Sequence, residues 1–243
     1  MRTATMPDVD AYYREDLARI HEAGFGDYAD ACAPGVLGLL EPGVDVLEIG
    51  CGSGALTKHL IAAGHSVVAT DASQPMLDLA AETVPSADLR LLRIPGDPIP
   101  SAKAIVSVGH AVNYLSSPEE IETAVMKLAD ALTDDGLMVI DICDLSYGDA
   151  RSGVNHATVD GEGWSIEVTT IFEPPNRFIR GMTTNVELPD GTQRLGHETH
   201  INVLIDVGTV ADTLSEAGFE VDLSRSIGDY DLPDGVYALV VRN

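Results

Sequence analysis

The sequence predicts an α/β protein: a doubly wound, seven-stranded, mostly parallel sheet with an antiparallel β insertion and an N-terminal helical segment. Three observations carry that prediction. From Val44 to Ile142, short apolar runs alternate with helical stretches, the rhythm of βαβ units with helices on both faces of a parallel sheet. Residues 145–205 replace that rhythm with period-two alternation. The chain then finishes in two strands with no helix between them, a hairpin that places one antiparallel strand at the sheet's edge.

The elements follow in order. Asp8 to Leu40 is helical in pattern, broken at Gly24-Phe25-Gly26 into a helix through Ala23 and another over Tyr28–Leu40. Val44–Ile49 is a short apolar run ending in glycines, followed by a helix through Ala63. Ser66–Thr70 is a second strand, and Gln74–Thr83 a helix with Pro75 in its first turn. Leu89–Arg93, Ala104–Val108 and Leu137–Ile142 are three more strands. A helix from Pro118 to Leu132 precedes the last of these and is expected to end at Asp135-Gly136.

In the insertion, Trp164, Ile166, Val168, Thr170 and Phe172 alternate, then Phe178 through Leu188. A third run covers Arg194–Ile205, giving a three-stranded meander. Asp206–Ala217 is the last helix, and Glu220–Ile227 with Val236–Arg242 closes the sheet. One domain results: helical residues 1–42, a core over 43–144 resumed at 206–243, and the insertion at 145–205.

Composition excludes several classes. The 243 residues are 45% apolar, and no run approaches the roughly 18 apolar residues of a membrane span. Fourteen basic against thirty-nine acidic residues give a net charge of −25, with only three lysines. Phosphate backbones and anionic membranes are bound through Lys and Arg, so neither nucleic acid nor membrane is an expected partner. The acidity fits either a high-salt cytoplasm or an ordinary acidic protein. Cys32, Cys51 and Cys143 are odd in number and widely spaced, which is neither a disulfide framework nor a zinc site. The first residues show no apolar signal-peptide core, so a cytoplasmic location is expected.

The chemistry is concentrated after the first strand, in Val46-Leu47-Glu48-Ile49-Gly50-Cys51-Gly52-Ser53-Gly54-Ala55. Glycines let a ligand approach the backbone of a strand-to-helix turn, and the N–H groups there offer donors. Asp71 ends the second strand, where a carboxylate can accept the hydroxyls of a ribose. Two ligands fit that pattern. Gly50, Gly52 and Ala55 satisfy the nicotinamide-dinucleotide spacing, a weak signal alone. Glu48 favours a ligand with an ammonium or sulfonium over a pyrophosphate, and the antiparallel finish favours the same side.

Val46–Thr57 with Asp71 resembles the first two motifs of class I S-adenosylmethionine-dependent methyltransferases. The likeness extends through Gly109-His110-Ala111-Val112-Asn113-Tyr114-Leu115, Asp134-Asp135-Gly136 and Ala217-Gly218-Phe219. The Ile20–Phe25 segment and the late insertion resemble bacterial small-molecule members. The resemblance implies a Rossmann-like methyltransferase fold with the N-terminal helices as a lid, S-adenosylmethionine as cofactor, and methyl transfer to O, N or C of a metabolite. It assigns Gly50, Gly52 and Gly54 to the methionine moiety and Asp71 to the ribose. Ala72, Ser73 and Met76 flank ribose and adenine, and Glu48 orients the turn or meets the amino group through water. Cys51 packs inside the turn, Gly109 adds to the cofactor wall, and Tyr13, with Tyr12 beside it, either lies over the cofactor or packs the helix. The acid this family often uses for adenine is missing from Leu91–Pro95, leaving the backbone at Arg93 and Ile94, or Asp97 as a substitute.

Acceptors that must lose a proton need a base, and histidine suits that task. His110 follows the fourth strand and is the first candidate for substrate contact or proton transfer. His21, beside the glycine hinge, is the second. His59 and His65 flank a helix and read as solvated. Asn113 and Tyr114 are expected at the substrate, as is His197. Strand alternation sends His197 and His200 to opposite faces, so no metal site is expected there. The alternatives are a nicotinamide-dependent oxidoreductase and a non-catalytic S-adenosylmethionine-binding protein; homodimerisation through the insertion stays open.

Overall fold

The computed structural model describes residues 12–25, 27–151 and 153–243. Two helices, α1 (Glu15–Phe25) and α2 (Asp27–Leu39), precede the sheet. The βα units then run β1 (Asp45–Ile49), α3 (Ala55–Ala62), β2 (Ser66–Asp71), α4 (Gln74–Thr83), β3 (Asp88–Leu91), β4 (Ala102–Ser107), α5 (Pro118–Asp130) and β5 (Leu132–Cys143), with a 3-10 turn at Ala111–Tyr114. After a short helix α6 (Leu145–Asp149) come β6 (Val154–Gly161), β7 (Trp164–Glu173), β8 (Arg177–Glu187) and β9 (Gln193–Val203). The chain closes with α7 (Val207–Glu216), β10 (Glu220–Ser224), a small hairpin β11 (Ser226–Ile227) and β12 (Tyr230–Asp231), and β13 (Val236–Arg242).

The main sheet has the order β10-β13-β5-β4-β1-β2-β3. β1 pairs in parallel with β2 and β4, and β13 runs antiparallel to both β5 and β10. The strand order reverses beside β1, so the carboxyl ends of β1 and β4 form the crevice where this topology binds ligands. Alternation within the strands feeds two apolar layers. Leu47, Ile105 and Ile140 pack with α5 and α7 on one face, and Val46, Val106 and Val139 pack with α2 and α3 on the other. Each fully buried Leu or Ile contributes about 1.5–3 kcal/mol.

Four expectations are corrected. The antiparallel strand is not at the edge: β13, whose Ala238–Val241 are all buried, sits inside the sheet, and β10, with Glu220 and Asp222 exposed, is the edge. The insertion has four strands rather than three, because β6 exposes every residue and so lacks the alternation that marks a strand. α5 ends at Asp130, and Asp135-Gly136 lies inside a long β5, with Asp135 at φ 55°. Among the described residues the first helix begins at Glu15, so Tyr12 and Tyr13 precede it; Asp8–Ala11 and the Gly26 part of the hinge lie outside the described residues.

The N-terminal helix is fastened on two sides. Leu17 and Ile20 pack on Ile166 and Met182 of the inserted sheet, while Ala18 packs on Met76 and Leu79 of α4. Arg194 reaches Asp16 and Arg14 lies 3.6 Å from Glu198, tying the same helix region to β9. Among the described residues no helix is long and apolar enough to cross a membrane.

Candidate active site

A cavity opens at the carboxyl ends of β1, β2 and β4, where this topology places its ligands. Its floor is local in sequence. Gly50 and Gly52 carry φ of 70° and 55°, in the region that favours glycine. A Cβ on Gly50 would stand 2.6 Å from the Ala111 methyl, whereas none of the surrounding atoms would come within 4 Å of one on Gly52. Backbone is therefore bared toward the cavity at Gly52. Asp71 faces the same space. Its carboxylate accepts N–H bonds from Gly52 (2.9 Å) and Ser73 (2.8 Å). Burial raises its pKa, and the N–H groups of Ser73, Gly52 and Ala72 oppose that rise.

Tyr13, Ala72, Ser73, Met76, Arg93, Ile94 and Gly109 also line the wall, as the sequence reading expects of the cofactor side. Three of its cofactor residues do not. Glu48 lies behind the turn, buried, accepting the Thr57 hydroxyl at 2.7 Å; burial pushes its carboxyl up to about 7, against the pull of Thr57. It clamps the turn to α3 and does not present its charge to the cavity. Cys51 is buried in the packing, its thiol pushed up by burial. Gly54 caps α3 and abuts Val84. The adenine side differs in one detail: the Arg93 N–H is already bonded to Asp97, at 2.7 Å.

The roof comes from distant segments. Tyr12 and Tyr13 enter from the N-terminal side, His21 from α1 and Tyr114 from the 3-10 turn, all lining the cavity. The Tyr13 and Tyr114 hydroxyls are 2.9 Å apart. His200 packs edge-on against both Tyr12 and Tyr13, centroids 4.7 Å away in each case. His21 has its pKa lowered to about 4, by burial first and the Arg180 charge second, so its ring is neutral near pH 7.

His110 stands at the seam. Gly109 and Ala111, its neighbours, line the cavity, but its own ring is directed toward Tyr28 and Tyr147, with centroids 6.1 and 6.3 Å away. Gly109 and His110 both have positive φ, which aims two successive N–H groups at Asp141. That fully buried carboxylate also accepts the Tyr28 hydroxyl at 2.7 Å and lies 3.4 Å from His110 Nδ1. Burial would raise the Asp141 pKa, yet the hydrogen bonds and charge of His110, with the Tyr28 hydroxyl, hold it low.

Two expected substrate residues are placed elsewhere. Asn113 is fully buried, its amide donating to the carbonyls of Cys143 and Val203 and accepting the Cys143 N–H, so it stitches β5 to β9. His197 is exposed and pairs with Thr183 at 3.1 Å; strand alternation turns His200 inward instead. His65 is buried, not solvated, where the chain turns after α3 and its N–H bonds to Leu60. Among the described residues no group of three or more metal-ligating side chains forms.

Asp141, Tyr28 and Arg180 were not singled out from sequence. The signal for the first was legible: an acid between Ile140 and Ile142 in a strand buried on both faces. Arg180 sits among Phe178, Met182 and Thr184 on the inward face of β8. Tyr28 carried no comparable signal.

Comparison with known proteins matches this architecture. Residues 46–136 match the family described as a methyltransferase domain. A protein of Geobacillus sp. (strain WCH70) named as a methyltransferase is 25% identical over 188 residues, covering 72% of this chain and 74% of the relative. The sugar N-methyltransferase KedS8 of Streptoalloteichus sp. superimposes with a TM-score of 0.77 at 20% identity, over 100% of this chain and 98% of the other. An S-adenosylmethionine-dependent methyltransferase of Clostridium acetobutylicum gives 0.74 at 18%, over 93% and 97%. The amino pentose methyltransferase CalS10 of Micromonospora echinaspora, solved with S-adenosylmethionine bound, gives 0.69 at 19%, over 95% and 97%. The fold is the class I methyltransferase fold, and residues 46–136 are similar to a methyltransferase domain.

Proposed function

We propose that the protein transfers a methyl group from S-adenosylmethionine to an O, N or C atom of a small-molecule metabolite. The observation that carries this is the pairing of Asp71 with bared glycine backbone at Gly52 on one wall of the cavity. That pairing suits a nucleoside with a short zwitterionic tail, and a roof of aromatic side chains suits a metabolite. S-adenosylmethionine supplies an electrophilic methyl carbon on a sulfonium. Asp71 accepts the ribose hydroxyls, the Gly50–Gly52 backbone takes the methionine end, and Ser73, Met76 and Ile94 flank the base.

Tyr12, Tyr13 and Tyr114 exclude water and hold the acceptor near the reacting carbon, which is most of what such a displacement asks of the protein. His110 takes the acceptor's proton, with Asp141 fixing its backbone and lying within reach of its ring nitrogen. His21, neutral through its lowered pKa, shapes the roof rather than carrying charge. The neighbours that act on sugars support a metabolite as acceptor.

Calorimetric titration tests the reading. S-adenosylmethionine should bind with micromolar affinity and NAD should not. Binding of NAD alone would return the site to the dinucleotide class.

A further inference from the structure

Among the described residues Arg180 is a sheltered cation without an anion. On β8 it faces the same side as Phe178 and Met182, opposite His200 of β9. Its Nη2 donates to the Tyr114 hydroxyl and, at 3.0 Å, to Asn202 Oδ1, both neutral. Its Nε is buried and, among the described residues, without a hydrogen-bond partner, as is the Nδ2 of Asn202, itself 3% exposed. Among the described residues no carboxylate lies within 4 Å of it.

That is unusual for this chain, which has thirty-nine acids for fourteen bases. Arg14, Arg90, Arg177, Arg194, Arg225 and Arg242 each have a carboxylate within 4 Å. A guanidinium withdrawn from water costs several kcal/mol unless paired, and it does not lose its proton. Tyr114, which Arg180 holds, lines the same cavity as Asp71. The residue as a whole is part-buried, while its Nε and the Asn202 Nδ2 are covered and sit behind Tyr114.

We propose that Arg180, assisted by Asn202, binds an oxyanion of the methyl acceptor, so the acceptor carries a carboxylate or a phosphoryl-type group. The Nε–H of Arg180 and the Nδ2–H of Asn202, without partners among the described residues, are donors that the oxyanion takes, and it supplies the missing counter-charge. A chain at −25 repels anionic metabolites in general; a recessed arginine selects those whose anion reaches it. This rests on the methyltransferase reading, which makes the cavity an acceptor site.

The test uses protein saturated with S-adenosylhomocysteine. Thermal stability is followed as sodium acetate or sodium phosphate is added, against sodium chloride of equal ionic strength. The wild type should be stabilised beyond the chloride control by acetate, phosphate or both. Acetate alone identifies a carboxylate acceptor, phosphate alone a phosphoryl-type one, and both a general oxyanion subsite. Arg180→Met should weaken that affinity by about tenfold or more, while its stability without anion equals or exceeds the wild type, because a buried unpaired charge has gone. Arg180→Lys keeps the charge and loses the fork; it should bind about threefold or more weakly, and it decides the matter if the Met variant does not fold. No anion effect in the wild type, or variants that respond as the wild type does, would overturn the proposal. Calorimetry with S-adenosylmethionine on the same proteins separates the two readings: failure of the wild type to bind it sinks the methyltransferase reading and leaves the anion result standing on its own.

Discussion

The floor and the roof of the cavity are built in opposite ways. The floor is contiguous sequence, a strand, a glycine turn and the acid at the end of the next strand, and its functional groups are largely backbone plus one carboxylate. The roof gathers side chains from residues 12–21 and the 3-10 turn, backed by Arg180 of β8 and His200 of β9 through hydroxyl, aromatic and guanidinium contacts. A backbone floor suits one invariant cofactor, because it changes little with side-chain identity. A side-chain roof can be altered one residue at a time, which is what a changing acceptor demands.

His110 offers the largest way to break that division, since its neighbours Gly109 and Ala111 line the floor side while its part-exposed ring is the proposed base. Once an acceptor is in hand, His110→Ala should lower kcat by about 10²–10⁴ with S-adenosylmethionine affinity unchanged, the range for losing a general base. Steady-state kinetics beside calorimetry checks it. A loss of cofactor affinity instead would assign His110 to the floor.

A smaller effect lies beneath the floor, at Glu48. Its pKa in the fold, about 7, is above the ordinary 4.5, so the folded state holds the proton more tightly than the unfolded chain. Stability from this residue is therefore full below about pH 4.5 and falls as pH rises to about 7, by up to about 3 kcal/mol. Glu48→Gln keeps an acceptor for the Thr57 hydroxyl and removes the titration. Thermal melts from pH 4 to 8 should show the variant gaining on the wild type toward the alkaline end. Parallel curves would mean that Glu48 titrates as an ordinary surface acid.

The same contrast explains what was legible in the sequence. Gly50, Gly52 and Asp71 are found by spacing because the floor is local, and the βα rhythm of residues 43–144 announces the sheet. For Glu48 the sequence left two roles, orienting the turn or meeting the ligand's amino group: spacing gives its place on β1, but not that Thr57 of the next helix takes its carboxylate. Asn113 and His197 were misplaced for a related reason, since adjacency to a site in sequence says little about which way a turn or strand aims a side chain. Arg180, His200 and Tyr12 meet only after β8 and β9 pair, and no local pattern records that register. β6 escaped detection because a fully exposed strand leaves no burial pattern to read.

One paired measurement tests the division of labour most directly: the affinity for S-adenosylmethionine of Asp71→Ala and Arg180→Met beside the wild type. Asp71→Ala should weaken binding about 100-fold, from the loss of charge-assisted bonds to the ribose, and Arg180→Met should stay within about threefold, because it serves the acceptor. Equal losses in the two variants, or a loss confined to Arg180→Met, would contradict it.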